Sequence, residues 1–104
     1  MNEFCIIKTT YEKKKDANKV ATLLIAKRLA ACVQVSKITS FYNYKKKTNK
    51  TTEYILSIKT KKSNYDEIQS FIKATHPYNL PEIISIDIVN ASSEYLDWVK
   101  ENTI

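Results

Sequence analysis

The chain has 104 residues, of which 43% are apolar and 27% charged, and we expect residues 1–104 to form one globular α+β domain. No stretch approaches the ~20 apolar residues of a membrane span, and the N-terminus lacks a signal-peptide layout. We therefore expect a cytoplasmic protein without membrane contact. The formal charge of +6 favours a solvated basic surface over nucleic-acid binding, because the basic residues are spread along the chain and all but Arg28 are Lys.

Cysteine and glycine usage narrows the possible functions further. Cys5 and Cys32 both sit in apolar contexts, which predicts two buried free thiols rather than a disulfide. The chain contains no glycine. This excludes the Gly-rich phosphate loop and the Gly-containing motif with which RNA-recognition domains bind bases.

The first half of the chain predicts a strand, a helix and a long hairpin. Residues 3–10 are typical of a strand, and the apolar spacing over 17–30 predicts a helix with Asp16 near its start. The β-branched and aromatic run 32–44 predicts a long strand. Residues 51–60 form the answering strand of the hairpin. The polar segment between them contains Asn49, which suits the left-handed conformation of a turn.

The second half predicts a helix, a strand and a last helix. Ser63 is a candidate cap for a helix that ends near Thr75, because Pro77 disfavours helical geometry in the preceding residue. The alternation over 82–89 predicts a strand. The final helix covers residues 94–102, and Ser92 or Ser93 can cap it.

The order of these elements predicts an α+β, ferredoxin-like βαββαβ antiparallel sandwich with an extra C-terminal helix. The two internal helices then cover one face of the four-stranded sheet, while the other face has no cover within the chain. Its strands carry apolar side chains on both sides, so we expect that face to be an interface with other subunits. The long hairpin strands are expected to protrude and to pair with a neighbouring subunit.

The segment from His76 to Glu82 holds the only histidine and both prolines, Pro77 and Pro81. The prolines fix two backbone angles, so we expect a stiff, nearly extended connector into the following strand. Two interpretations of the histidine remain open. His76 either ends the helix and hydrogen-bonds locally, or it contacts a metal ion.

Several motifs occur in the order and spacing of one known family. They are RLAACVQV (28–35), SFYNY (40–44), EYILSIKT (53–60), HPYNLPEI (76–83) and YLDWV (95–99). On these motifs the chain resembles the CutA family, the divalent-cation tolerance proteins, over nearly its whole length. The resemblance implies a homotrimer with a link to divalent cations, chiefly copper, and no established catalysed reaction.

A metal site needs several soft or borderline ligands. His76 offers an imidazole, Glu82 a carboxylate and Cys32 a thiolate, so these three are the candidate ligands for copper(II) or another divalent cation. One chain supplies too few ligands, and we expect a site only where subunits combine theirs. Thr9 and Thr75 stand where bacterial relatives with the proposed copper site have cysteine and histidine.

The resemblance also implies pockets between subunits, lined by Tyr42, Lys59 and Tyr78. It leaves open a PII-like regulatory trimer that binds a small metabolite at these clefts. An enzyme is not expected, because the chain has no second histidine near His76 and no phosphate loop. Cys32 lies in an apolar context that raises a thiol's pKa, so no residue is assigned a catalytic role.

Overall fold

A computed structural model of the chain describes residues 3–104 and confirms the βαββαβ order with a C-terminal helix. A 3₁₀ turn, Lys62–Asn64, leads into the second helix. The elements are β1 (Phe4–Tyr11), α1 (Lys14–Ala26), β2 (Cys32–Tyr44), β3 (Lys47–Lys61), α2 (Tyr65–Thr75), β4 (Ile84–Asp87) and α3 (Ser93–Glu101).

The four strands form one antiparallel sheet in the order β2-β3-β1-β4. In the register of β1 and β3, Ile7 pairs with Ile58 and Thr9 with Leu56. Because side chains alternate along a strand, these residues share one face of the sheet. That face packs against α1 and α2 to form the core. The buried residues of the core include Cys5, Ile7, Tyr11, Val20, Leu24, Leu56, Ile58, Ile68 and Ile72.

Helix α1 ends four residues earlier than the apolar spacing predicts. Arg28 adopts φ 58°, the left-handed conformation that usually falls to glycine at this place. The Arg28 N–H bonds the Ile25 carbonyl and the Leu29 N–H bonds the Leu24 carbonyl, which closes the helix. The Arg28 guanidinium also donates to the carbonyl of Glu101 at 2.9 Å, and so stabilises the C-terminal end of α3.

The hairpin turn lies at Lys45 and Lys46, and the expectation that Asn49 belongs to the turn was wrong. Both lysines have positive φ, 52° and 63°, and Tyr44 pairs with Lys47 across this two-residue loop. Two successive positive φ angles match the type I′ turn that suits the twist of paired strands. The answering strand β3 therefore begins at Lys47, four residues before the predicted start.

Two further boundaries differ from the predictions. Ser63 does not cap α2, because residues 62–64 form a 3₁₀ turn and the helix begins after Asn64. The Asn64 amide instead donates to the carbonyls of Leu29 and Ile104 and to the Thr60 hydroxyl. Strand β4 is limited to Ile84–Asp87, the residues that pair with β1.

Helix α3 has the predicted cap, since the Ser92 hydroxyl accepts a hydrogen bond from the Tyr95 N–H at 3.2 Å. It packs against β3, and the Lys59 ammonium lies 5.5 Å from the centroid of the Tyr95 ring. Val99 is the buried residue of α3. No helix within residues 3–104 has the length and apolar content needed to cross a membrane.

The face of the sheet opposite the core remains open to solvent. Ile84 and Ile86 of β4 are 45% and 47% exposed. Strand β1 pairs with β3 only as far as Tyr54, so the rest of the hairpin is an arm of two strands, residues 38–53. This arm contributes to the longest dimension of the chain, 44 Å.

Candidate functional site

A cleft of about 630 Å³ opens where the arm meets the end of β1 and the segment 76–82. The arm contributes residues from both of its strands, and the proline-bounded segment closes the opposite wall. Its volume falls within the range of small-molecule sites. The cleft is lined by Thr10, Ser40, Phe41, Tyr42, Asn43, Tyr44, Glu53, Tyr78, Asn79, Leu80 and Glu82.

Residues 77–80 make bends rather than the nearly extended path that the two prolines led us to expect. His76 itself is extended, with φ −77° and ψ 135°, and ends α2 as Pro77 requires. The bends turn the chain back along the end of β1 and bring Tyr78 to the cleft. The proline pair therefore shapes a wall of the cleft.

His76 anchors this wall through both of its ring nitrogens. Its Nδ1 accepts a hydrogen bond from the Tyr78 N–H at 3.1 Å, so the ring proton lies on Nε2. Nε2 then donates to the Thr10 carbonyl at 2.7 Å. Burial lowers the pKa of His76 below its usual value, although the Thr10 carbonyl opposes this shift. The neutral ring thus holds the segment against β1, which matches the local-bonding interpretation.

Aromatic packing supports the same wall. The His76 ring stacks on Tyr11, with centroids 4.2 Å apart and planes 16° from parallel, and lies 4.8 Å from the Tyr78 ring. The Tyr11 hydroxyl is buried and has no hydrogen-bond partner among the described residues. Burial, reinforced by the Asp16 charge, raises the pKa of Tyr11 to about 12.

Glu53 is the most buried acid of the cleft, at 8% exposure. Its Oε2 accepts a hydrogen bond from the Tyr78 hydroxyl at 2.9 Å. Burial raises the pKa of Tyr78 well above its usual value, and the bond to Glu53 adds to the shift. Within residues 3–104 the ion pairs join Lys62 to Asp87 and Lys100 to Glu3, so none of them neutralises Glu53.

The cleft carries the opposite charge from the protein as a whole. Its lining contains two carboxylates, Glu53 and Glu82, and no Lys, Arg or His, although the chain has a net charge of +6. Sequence analysis proposed Glu82 but missed Glu53. The available signal was one acidic side chain on the face of β3 that also carries Ile55 and Ser57, opposite the buried core.

The predicted metal ligands do not meet within one chain. Cys32 pairs with Lys59, which pairs with Ile6 on β1. Ile6 is four residues from Thr10, where His76 binds, so ~13 Å of strand separates the thiol from the imidazole. Glu82 lines the cleft, whereas Cys32 lies at the start of β2. The prediction of two buried thiols holds for Cys5 and was wrong for Cys32, which is half-buried.

The donor set of a single chain therefore does not fit a copper site. Across residues 3–104 no three His, Cys, Asp or Glu side chains are grouped so that they hold a metal ion. Both nitrogens of the sole imidazole already have partners. The assignment of His76, Glu82 and Cys32 to a metal site shared between subunits stays a prediction.

The predicted cleft residues separate into two places in the chain. Tyr42 and Tyr78 line the cleft. Lys59 lies outside it, beside Tyr95 of α3. A pocket between subunits that combines these three residues also stays a prediction.

Together, the fold and cleft define a ferredoxin-like α+β protein with a small-molecule-sized, acidic and aromatic cleft beside an open sheet face. Comparison with known proteins then identifies its family. Residues 5–102 match the family described as CutA1 divalent ion tolerance protein, so this chain belongs to that family. The match covers nearly every element of the fold.

Individual relatives agree with this assignment. The chain is 41% identical over 93 residues to a probable divalent-cation tolerance protein cutA homolog of Encephalitozoon cuniculi, covering 89% of this chain and 82% of that protein. Divalent-cation tolerance protein CutA of Thermus thermophilus is 35% identical over 99 residues, 94% of this chain and 96% of that protein. The crystal structure of CutA1 from Oryza sativa superposes with a TM-score of 0.93 at 32% identity, covering 99% of this chain and 95% of that one. The first two of these relatives are named for divalent-cation tolerance, and none of the three is named for a catalysed reaction.

Proposed function

We propose that this protein acts in divalent-cation tolerance as a homotrimer, and that the cleft beside His76 binds a divalent cation. The observation that carries the proposal is the buried Glu53 carboxylate, which faces the cleft without a basic partner in the described part of the chain. Buried charges in proteins are generally paired or bound to a metal. A cation in the cleft would supply the missing positive charge.

Two features support the proposed trimer, the open sheet face and the arm. Exposed Ile84 and Ile86 form an apolar surface that water does not favour. Among residues 3–104 no further strand pairs with the outer edges of the two-stranded arm, and a hairpin without further strands is only marginally stable alone. Identical subunits would cover both features, in the arrangement that the CutA resemblance implies.

Copper(II) is the cation that the family resemblance implies, but the cleft of one chain offers mainly oxygen ligands. Carboxylates suit hard divalent cations, whereas imidazole and thiolate favour copper. Glu82 is exposed in the cleft and free to bind an ion there. A copper site would also require a neighbouring subunit to bring its Cys32 or another soft ligand to the cleft.

Calorimetric titration with copper(II) and with manganese(II) tests the proposal. We expect Glu82→Gln to weaken binding about tenfold, because a hydrogen bond or contact to a charged group contributes roughly 1.5–3 kcal/mol. Glu67→Gln makes the same charge change on the exposed surface of α2 and should leave the affinity unaltered. Absence of binding, or equal affinities for the two variants, would contradict the proposal.

The same titration tests whether His76 is a metal ligand. His76 would have to release the Tyr78 N–H before its Nδ1 could bind a metal ion. If His76→Ala binds copper(II) as tightly as the unmodified protein, His76 is not a ligand. A selective loss of copper affinity, with manganese affinity retained, would identify it as a ligand.

A PII-like regulatory trimer that binds a small metabolite is the second candidate, favoured by the 630 Å³ volume and the four aromatic rings of the cleft. We propose no catalysed reaction. A cytoplasmic location is also proposed, supported by the two free cysteines, since reduced thiols are usual in that compartment. A thermal-shift screen with metal ions and metabolites separates the two candidates, because a ligand of the native state raises its melting temperature.

A further inference from the structure

We propose that a small α-amino acid binds in a groove between α1 and α2, with its ammonium group at Asp16 and its carboxylate at Lys19. This pocket, the helix groove, has a volume of about 180 Å³ and shares no lining residue with the cleft. The proposal goes beyond the function proposed above and does not depend on metal binding.

The helix groove lies on the side of the sheet that the helices cover. Helices α1 and α2 pack on the core face, whereas the proposed trimer forms through the opposite, open face with its exposed Ile84 and Ile86. Subunits that meet through the open face would leave the groove between the helices exposed. We therefore expect the groove to have the same lining in a single chain and in the trimer.

Two side chains of opposite charge line the helix groove. Asp16 and Lys19 are three positions apart on α1, so they are neighbours on the helix surface. Neither belongs to an ion pair within residues 3–104. A carboxylate beside an ammonium group matches the two opposite charges of a zwitterion, and each could form a charge-assisted hydrogen bond with it.

A second lysine favours a ligand that carries a carboxylate. The Lys27 ammonium lies 5.6 Å from the centroid of the Phe71 ring, which lines the helix groove. Two ammonium groups, those of Lys19 and Lys27, thus stand close to the groove. An amine without a carboxylate would be repelled by both of them.

Apolar side chains and a small volume set the size of the ligand. The apolar part of the lining consists of Val20, Leu23, Phe71 and Pro77. The volume of about 180 Å³ equals that of about six water molecules in the liquid and lies below the range for drug-sized ligands. A branched aliphatic amino acid fits these limits, because its charged end is small and its side chain is short and apolar.

Tyr11 adds a polar group to the lining. Its hydroxyl is buried and has no hydrogen-bond partner among the described residues. Burial, followed by the Asp16 charge, raises the pKa of Tyr11 to about 12, so the phenol lies close enough to Asp16 to sense that charge. An unsatisfied hydroxyl near the carboxylate favours a ligand with a polar end over a purely apolar one.

Methyl NMR of the full chain, with labelled leucine and valine side chains, tests the proposal. L-Valine is the probe. Its two analogues of similar shape are isobutylamine, which lacks the carboxylate, and 3-methylbutanoate, which lacks the ammonium group. The methyl groups of Val20 and Leu23 report on the helix groove, and those of Leu80 report on the cleft. EDTA in every titration removes any contribution from divalent metal ions.

We expect L-valine to shift the methyl resonances of Val20 and Leu23 and to leave those of Leu80 unchanged. Each analogue should bind at least about threefold more weakly than L-valine, because it loses one of the two ion pairs at a partly exposed site.

Variants at the two charged positions test the same contacts from the side of the protein. Asp16→Asn and Lys19→Met should each weaken L-valine binding about threefold. Asp66→Asn makes the same charge change in the first turn of α2, and Lys73→Met removes an exposed lysine of that helix outside the lining. Both of these controls should bind L-valine as the unmodified protein does.

Several results would overturn the proposal. They are unchanged Val20 and Leu23 resonances, a shift confined to Leu80, or equal affinity for L-valine and either analogue. An affinity in Asp16→Asn or Lys19→Met equal to that of the controls also counts against it. A crystal structure of the trimer with a neighbour's side chain in the helix groove would contradict it, because the groove would already be filled.

Discussion

At the scale of single residues, His76 has a role that its chemistry alone does not reveal. A lone histidine in a family named for cation tolerance suggests a ligand, yet both of its nitrogens bind within the chain. It links the Thr10 carbonyl to the Tyr78 backbone, and Tyr78 in turn bonds Glu53. The histidine thereby supports the carboxylate that gives the cleft its charge.

Tyr11, which packs against this wall, makes the free energy of unfolding depend on pH. The pKa of Tyr11 is about 12 in the folded chain against an ordinary value of 10.0, so the unfolded chain releases this proton first. The stabilising contribution is therefore complete below about pH 10 and is lost as the pH rises towards about 12. The full effect is about 2–3 kcal/mol, because each tenfold difference in proton affinity between the folded and unfolded chain corresponds to about 1.4 kcal/mol.

Tyr11→Phe should remove this part of the alkaline loss. At neutral pH we expect little change in the free energy of unfolding, because the hydroxyl that is removed is buried without a partner in the described chain. Urea unfolding at about pH 8 and about pH 11 measures both effects. Tyr44→Phe, on the exposed arm, controls for the loss of a hydroxyl. Parallel losses in the unmodified protein and in Tyr11→Phe would contradict this account.

At the scale of the elements, the spacing of apolar residues predicted the order of strands and helices, because one face of most elements is apolar. The boundaries were less predictable. Arg28, Lys45 and Lys46 occupy left-handed conformations that glycine or asparagine usually mark. In a chain without glycine that signal is missing, so the end of α1 and the start of β3 were each misplaced by four residues.

The turn offers a direct test of this explanation. Lysine in the left-handed region costs about 1–2 kcal/mol relative to glycine. We expect the double substitution K45N/K46G to raise the free energy of unfolding by about 1 kcal/mol, since Asn-Gly is the preferred pair for a type I′ turn. Thr52→Gly, within β3, should instead lower it. A loss of stability in K45N/K46G, measured by urea unfolding, would argue against the turn as described.

The cleft was only partly predictable from the sequence. Tyr42, Tyr78 and Glu82 follow from motifs, and the structure places all three in one lining. Glu53 was missed, because a single acid on one face of β3 becomes informative only through its bond to Tyr78, which is 25 positions away in the chain. Cys32 was assigned to the site from its chemistry, but the sheet register places it ~13 Å along the strand from His76.

At the scale of the whole molecule, the open sheet face and the arm explain why one chain is not expected to be stable without neighbouring subunits. The helices cover one side of the sheet, and the exposed isoleucines and the unpaired arm lie beyond their reach. Association would bury this surface and would bring the cleft of one chain close to residues of its neighbours. Both the shared metal site and the shared pocket depend on that association.

Sedimentation equilibrium of the purified protein at micromolar concentration tests this central claim most directly. The account predicts a single species of three times the 12.0 kDa mass of the chain. It also predicts that Ile86→Asp, which places a charge on the open face, shifts the distribution towards single chains. A stable particle of 12.0 kDa for the unmodified protein would contradict the account.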